Sequence, residues 1–394
     1  MIFTTKLIFW ISIFLVVYPH ALYPPLIALL ARYRPHRSRL DEYSAEWPSV
    51  TLIISAFNEE DVISAKLENA VAIDYPPEHL NILVISDASD DETDQIVLQW
   101  SAKEPRISLH RQERRLGKTM GLNAGISQIK SELIVFSDAN AMYQPNAMKE
   151  LVKYFRDQRV GYVVGAALYN QDESSKANQS EDLYWNMELS LKQWESDFYS
   201  VVGGDGAIYA IRRNLFWELA EDDINDFINP LQIIAQGYLG VFNPRAVCYE
   251  DTAEEFAKEF GRKRRIVNRS WRAFLKSLPR FSLTQHGRFL FELFSHKVIR
   301  WLSGLFLLLS ILASAILAGV DHDPLYILAF ACLLSSFLVA LIGYWLDRNS
   351  AVMPKVIYLP YYFYFVSHAA ILGIIDNIKG VRHITWNHVR GEKQ

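Results

Sequence analysis

The sequence predicts an α/β domain, a mainly parallel sheet with helices on both faces, held between membrane-spanning segments. Two observations carry this. Between about residues 48 and 275, short apolar runs rich in Val and Ile alternate with stretches of helical periodicity. On either side lie long, almost uncharged apolar segments. Half of the 394 residues are hydrophobic (51%) and 13% are aromatic, and the excess sits at the two ends of the chain.

The first apolar segment, residues 7–31, is long enough to cross a bilayer core of roughly 30 Å. It is too long for a secretory signal. Pro24 and Pro25 interrupt it, which helices in lipid tolerate. An N-terminal transmembrane unit over 1–33 is expected. The basic run Arg32–Arg39 follows. By the positive-inside rule it places the next domain in the cytosol of a multi-pass inner-membrane protein.

Within 48–275, "VTLIIS" (50–55) reads as a buried strand, followed by a helix through Ala72. "NILVIS" (81–86) is a second strand. Asp90 or Asp91 can cap the helix that carries "TDQIVLQW". "ISLH" (107–110) is a third strand, 118–129 a helix, and "ELIVFS" (132–137) a fourth strand. Repeated βα units imply a parallel sheet covered on both faces. Ligands bind such sheets outside the carboxyl ends of the strands. That gathers Ala56–Glu59, Asp87–Asp91 and Asp138–Asn140 onto one rim. The helix 181–198, with Leu183, Met187 and Trp194 at helical spacing, reads as core packing first and as acceptor-channel lining second.

Towards the C-terminus, His286–Trp301 alternates basic and aromatic groups. It is expected to be an interfacial amphipathic helix (280–297). Apolar segments near Val298–Val320, Leu325–Leu346 and Val356–Ile378 make a transmembrane region over 298–378, and a basic tail (379–394) follows. Four spans would leave the tail outside, whereas its basic charge argues for inside. Either the "YLPYYFYF" segment (Tyr358–Phe365) is re-entrant or the tail escapes the charge rule.

Several function classes are disfavoured. The net charge of −4 gives no basic field for nucleic acid. The only cysteines, Cys248 and Cys332, form neither a disulfide framework nor a CxxC site. There is no GxGxxG or Walker loop. The C-terminal spans hold almost no intramembrane charge, which speaks against a transporter. A rim of acids with one lysine, Lys118, suits a ligand with hydroxyls and a diphosphate. Carboxylate and amide oxygens favour Mg²⁺ or Mn²⁺, and Lys118 would meet phosphate as a point charge.

Taken together and in order, "TLIISAFNEE" (51–60), "VISDASDDET" (84–93), "RRLGKTMGLNAGI" (114–126), "IVFSDAN" (134–140), "GGDGAIYAIRR" (203–213) and "DDINDF" (222–227) resemble the inverting family 2 glycosyltransferases of GT-A fold. The flanking spans make the chain similar to the membrane-integrated branch, with the hyaluronan, chitin and poly-N-acetylglucosamine synthases. The resemblance implies a nucleotide-sugar donor, most simply a UDP-sugar, a glycan or lipid-linked acceptor, a divalent metal, membrane lipids around the spans, and other subunits of a polysaccharide assembly as candidate partners. It places Asn58 and Glu59 at the nucleoside, Asp87 at the uracil and ribose side, and Lys118 near the nucleotide. Asp138 and Asn140 fall at the Asp-x-Asp metal clamp, Asn140 as a weaker, neutral ligand. Asp91 matches a further family acid but is expected to cap a helix. Gly204 belongs to the glycine loop at the acceptor end. Asp226 takes the place of the catalytic base, with Asp222 and Asp223 as rivals. Arg262 and Arg265 match residues that serve the diphosphate. The Gln-x-x-Arg-Trp motif of processive synthases is not matched, because Ile266 occupies the Trp slot and Trp271 comes five residues later. The competing readings are an inactive scaffold subunit of a polysaccharide assembly and a nucleotidyltransferase.

Overall fold

The computed structural model describes residues 2–33, 46–169, 178–250, 256–349 and 353–383, with side chains at 169, 178–185 and 256–258 left aside. Eight strands form one sheet. They are β1 (Val50–Ala56), β2 (Leu80–Ser86), β3 (Ile107–Arg111), β4 (Leu133–Asp138), β5 (Met142–Tyr143), β6 (Val160–Tyr169), β7 (Tyr209–Arg212) and β8 (Leu239–Glu250). The order is β3-β2-β1-β4-β7-β6-β8-β5. The half β3-β2-β1-β4 is parallel, as the sequence predicts. Beyond β4, β7 runs antiparallel to both neighbours, and β6 and β8 are again parallel to each other.

Side chains alternate across each strand, so β1 feeds two cores. Leu52 and Ile54 pack on one face with Ile63 and Leu67. Those belong to α3 (Glu60–Val71), which lies beside α4 (Thr93–Ser101); α6 (Ala147–Val152) completes this face. Ile53 packs on the other face with Leu122, Phe227 and Phe289. They come from α5 (Lys118–Gln128), α8 (Asn225–Ala235) and α10 (Leu283–Leu293). Burial on both faces explains why β1 is apolar throughout.

α1 (Ile2–Val17) continues through a π-turn, Tyr18–Leu22, into α2 (Tyr23–Arg32). The prolines therefore bend the first helix without ending it. Arg34–Arg39 of the basic run lie outside the described residues. α7 (Asn178–Phe198) and α9 (Phe256–Ser277) frame the cleft on the membrane side. α10 runs through a second π-turn, Phe294–Val298, into α11 (Ile299–Val320), followed by α12 (Pro324–Arg348) and α13 (Lys355–Ile378). By length and composition, four helices could cross a membrane: Ile2–Arg32, Leu283–Val320, Pro324–Arg348 and Lys355–Ile378.

Two expectations change. His296 and Arg300 of the segment expected at the interface turn inward, whereas Arg288 is exposed. His296 bonds Glu188 and Glu195, both at 2.8 Å, and Arg300 Nη1 meets Glu188 Oε2 at 2.9 Å. A buried carboxylate attracts them more strongly than hydrated headgroups do. The "YLPYYFYF" segment is part of one continuous helix despite Pro360. In α7, Trp194 packs with Tyr23 and Ile27, whereas Met187 faces outward.

Candidate active site

The first acid of the rim, Asp87, follows β2 and is almost fully buried. Its Oδ1 accepts from Gln112 Nε2 (2.7 Å) and from the backbone N–H groups of Leu116 and Gly117 (both 2.9 Å). Its Oδ2 has no hydrogen-bond partner. Burial pushes its carboxyl up, and the Gly117 and Leu116 N–H groups and Arg115 counter that. Beside it, the Arg115 guanidinium lies 3.8 Å from the centre of the Phe57 ring.

Asn58 and Glu59 stand on the same rim, tied to the neighbouring loop. Asn58, at φ 53°, donates to Asp90 Oδ1 (2.5 Å) and accepts from the Asp90 N–H (3.0 Å). The Glu59 N–H donates to Thr93 Oγ1 (2.8 Å). Asn58 thus spends its amide on the loop 87–91. Asp91 accepts from the N–H groups of Thr93 and Glu60. That is the capping role expected of it, extended to the starts of two helices.

Asp138 ends β4, and Lys118 begins α5. Lys118 Nζ meets Asp138 Oδ1 at 2.5 Å. Asn140 lies two residues on, in the turn after β4. The glycine loop faces them. The Gly204 N–H donates to the Asp226 carbonyl at 2.5 Å, and a Cβ on Gly204 would come within 2.8 Å of that oxygen. A Cβ on Gly206 would lie 3.5 Å from Asp138 Oδ2 and 3.5 Å from Asp226 Oδ2. The two carboxylates therefore flank the same bare glycine, a backbone that leaves room for a sugar.

Asp226, in the first turn of α8, has an Oδ1 with no hydrogen-bond partner. Burial raises its pKa; Lys118 counters that, and Asp205 and Asp138 add to it. Its rivals are engaged elsewhere. Asp222 pairs with Arg272 (2.7 Å). Asp223 pairs with Lys276 (2.8 Å) and caps the Ala220 N–H (2.8 Å). Arg265 is held down by burial and by Arg262, and Asp138 opposes that shift. Arg262 also acts on Glu250, but its closest partner is Glu259 (2.6 Å).

Three residues of this region were not singled out from the sequence. Asp205, in the glycine loop, is held by Lys192 at 3.1 Å. Glu250, at the end of β8, is pushed up to about 8 by burial and by Asp138 and Asp205. Lys66, on α3, is completely buried. It donates to Ser137 Oγ (2.8 Å) and to the Ala141 carbonyl, which spans the turn bearing Asp138 and Asn140. The signal for Lys66 was available, because Ile63, Lys66, Leu67 and Ala70 share one helical face.

The donor set tests for a metal. Asp138 and Asn140 offer hard oxygens, and no group of three or more metal-binding side chains occurs among the described residues. Such a pair suits Mg²⁺ or Mn²⁺, which commonly take one or two carboxylates and complete their shell with substrate phosphates and water.

Residues 51–220 match the family model described as glycosyl transferase family 2. A probable glycosyltransferase, YdaM, of Bacillus subtilis is 27% identical over 64% of this chain and 62% of its own. The beta-monoglucosyldiacylglycerol synthase of Trichormus variabilis is 26% identical over 42% of this chain and 35% of its own. The poly-beta-1,6-N-acetyl-D-glucosamine synthase of Staphylococcus aureus is 30% identical over 30% of this chain and 29% of its own. The chain thus spans less than two thirds of the length of these relatives. Among solved structures, the mannosyltransferase PcManGT of Pyrobaculum calidifontis, in complex with GDP-Man and Mn²⁺, superposes with a TM-score of 0.73 at 22% identity, over 94% of this chain and 99% of that one. That likeness is one of fold, an α/β domain of GT-A type, which in this chain has helices long and apolar enough to cross a membrane on either side.

Proposed function

We propose that this chain, whose residues 51–220 match the glycosyl transferase family 2 model, transfers a sugar with inversion from a UDP-sugar to a glycan or lipid-linked acceptor at the cytosolic face of the inner membrane. The observation that carries this is the pair Asp138 and Asp226, whose Oδ2 atoms both lie 3.5 Å from where a Cβ on Gly206 would stand. One carboxylate stands on the donor side with Lys118. The other, Asp226, keeps an oxygen without a hydrogen-bond partner for an acceptor hydroxyl.

The roles follow from the positions. Asp226 takes the hydroxyl proton as the acceptor oxygen attacks the anomeric carbon, and the nucleoside diphosphate departs on the opposite side. General-base help of this kind is worth roughly 10²- to 10⁴-fold. Lys118 offsets charge on the leaving diphosphate, with Arg265 and Arg262 as further cations. Asp138 and Asn140 would hold the divalent metal, whose chemistry when bound is to neutralise the departing diphosphate. The bare glycine loop lets both sugars approach, so that positioning contributes to the rate.

Asp87 favours uracil over guanine. Its Oδ1 is saturated by three N–H donors, and only Oδ2 remains. Uracil offers one ring N–H between two carbonyls. Guanine offers two adjacent N–H groups and needs both oxygens. The cytosolic setting is supported by the basic run after the first helix. The test is to incubate membranes with a panel of UDP-sugars and GDP-mannose and to assay nucleotide release. Release of UDP from one UDP-sugar is expected. Turnover of GDP-mannose alone would refute the uridine assignment.

A further inference from the structure

We propose that α13 does not cross the bilayer. It lies in the headgroup boundary on the side of the catalytic domain, so the chain crosses three times and both ends of α13 face the same compartment. This stands apart from the identity of the reaction.

The crossing helices define the slab. Lys6 Nζ meets Asp321 Oδ2 at 2.7 Å, at the ends of α1 and α11 remote from the sheet. Nearer the sheet, His20 Nε2 lies 3.5 Å from Ser303 Oγ. Between these levels α1 and α11 each run about 21–27 Å at ~1.5 Å per residue, close to the thickness of a hydrocarbon core. α12 begins at the remote end, where Tyr326 meets Phe9, and climbs back.

α13 stays at the near level. Near its start, Tyr361 donates to Asp347 Oδ2 at 2.7 Å. A Cβ on Gly343 would touch Tyr361 and Ile357. In its middle, Phe363 packs on His20 at 5.3 Å. Further on, a Cβ on Gly304 would come within 2.6 Å of Ile371. From Ile357 to Ile371 the helix advances about 21 Å, yet its neighbours are Gly343 and, through Tyr364, mid-helix Ser336 of α12, then His20 and Gly304, and none belongs to the remote turn. A spanning helix would have travelled to the level of Asp321.

Its far half is bound to α9. Arg264 makes two hydrogen bonds to Asp376, at 2.6 and 2.7 Å. Asn268 donates to the carbonyls of Gly373 and Val381. Phe260 packs on Phe365 at 5.2 Å. A side chain at Gly373 would strike the Arg264 carbonyl at 2.6 Å, so the backbones touch. α9 carries Arg262, Lys263, Arg264, Arg265, Arg269, Arg272 and Lys276. A helix so charged cannot lie in hydrocarbon, and α13 runs alongside it.

The chemistry of α13 fits a lipid headgroup boundary. Tyr362 and Tyr364, both partly exposed, are the aromatic type enriched there, and Val356 and Leu359 are largely exposed, at 83% and 70%. The placement also removes the conflict over the tail. Arg348, Lys355, Lys379 and Arg382 fall on the sheet side, and the remote turn Asp321–Asp323 has no Lys or Arg.

The test uses the full chain with Cys332→Ser, keeping buried Cys248. Single cysteines are placed at Val356, Ile378, His322 and Lys103, and sealed vesicles of each orientation are treated with an impermeant maleimide. Val356→Cys and Ile378→Cys should label from the same face as Lys103→Cys, and His322→Cys from the other. Labelling of Val356→Cys and Ile378→Cys from opposite faces overturns the proposal. A spin label at exposed His368, mid-helix, gives an independent reading. It should report headgroup depth; a mid-bilayer depth also overturns the proposal.

Discussion

On the donor side of the cleft, Asp87 is held by two backbone N–H groups and one amide and keeps an oxygen unbonded. On the membrane side, Glu188 is surrounded by His296, Lys297 and Arg300, and a second buried acid, Glu195, bonds His296 and Tyr23. Both regions are rich in charge, yet they use it differently. Backbone dipoles fix Asp87 through one oxygen, and its cation, Arg115, stands off at 4.0 Å from the other, so that oxygen can still take a ligand. Side-chain cations neutralise their partners, so the membrane wall is a frame. Asp205, tied through Lys192, connects that frame to the glycine loop.

Substitutions can break this contrast, and the largest effect is expected at the cleft itself. Asp226→Asn should lower turnover roughly 10²- to 10⁴-fold with donor binding near normal. Asp222→Asn and Asp223→Asn lose ion pairs to α9 and should cost far less in rate. Steady-state nucleotide release beside equilibrium nucleotide binding separates the cases. A variant of Asp222 that is dead while Asp226→Asn turns over would move the base.

On the membrane wall, Glu188→Gln leaves buried cations without their counter-charge. Breaking such a group costs about 3–5 kcal/mol. Thermal unfolding in detergent should show it, while donor affinity of the folded fraction stays unchanged. Lost donor affinity at unchanged stability would erase the distinction between the walls. Asp87→Asn is its counterpart: about 10- to 100-fold weaker uridine nucleotide binding, on the scale of one charged hydrogen bond, with little change in unfolding temperature.

Smaller effects sharpen the picture. Lys66→Met leaves Ser137 Oγ and the Ala141 carbonyl without their cation, at a cost of about 1–3 kcal/mol. Because those groups bracket the Asp138 turn, the metal concentration for half-maximal activity should rise as well. The smallest is a pH shift. Asp226 acts as a base only when ionised, and its pKa is raised. Turnover should therefore fall with decreasing pH at values above those of an ordinary carboxylate. Lys118 counters that raise, so Lys118→Gln should move the acid limb further up. A pH–rate profile of both proteins checks the direction.

Much of the donor wall could be read in advance, because each element there announces itself locally. Runs such as Leu133–Ser137 end in an acid, and strand ends of a parallel sheet converge. Asp87 and Asp138 follow from that rule, and Lys118 and Asp226 from resemblance. The membrane wall could not be read this way. His296 and Arg300 meet Glu188 across more than a hundred residues, and from sequence their charge pointed to headgroups. Glu250 was hidden among neighbouring acids at the end of a strand that carries Asn243 and Pro244. α13 has the length and greasiness of a span; its contacts with α9, α11 and the first helix carry the proposal that it lies along the boundary.

The central claim is inverting transfer with Asp226 as the base. Its most direct test is the anomeric configuration of the first product formed from an α-linked UDP-sugar, read by proton NMR from the anomeric coupling. A β-linked product is predicted, because one base on the face opposite the leaving group allows a single displacement. An α-linked product would contradict the account.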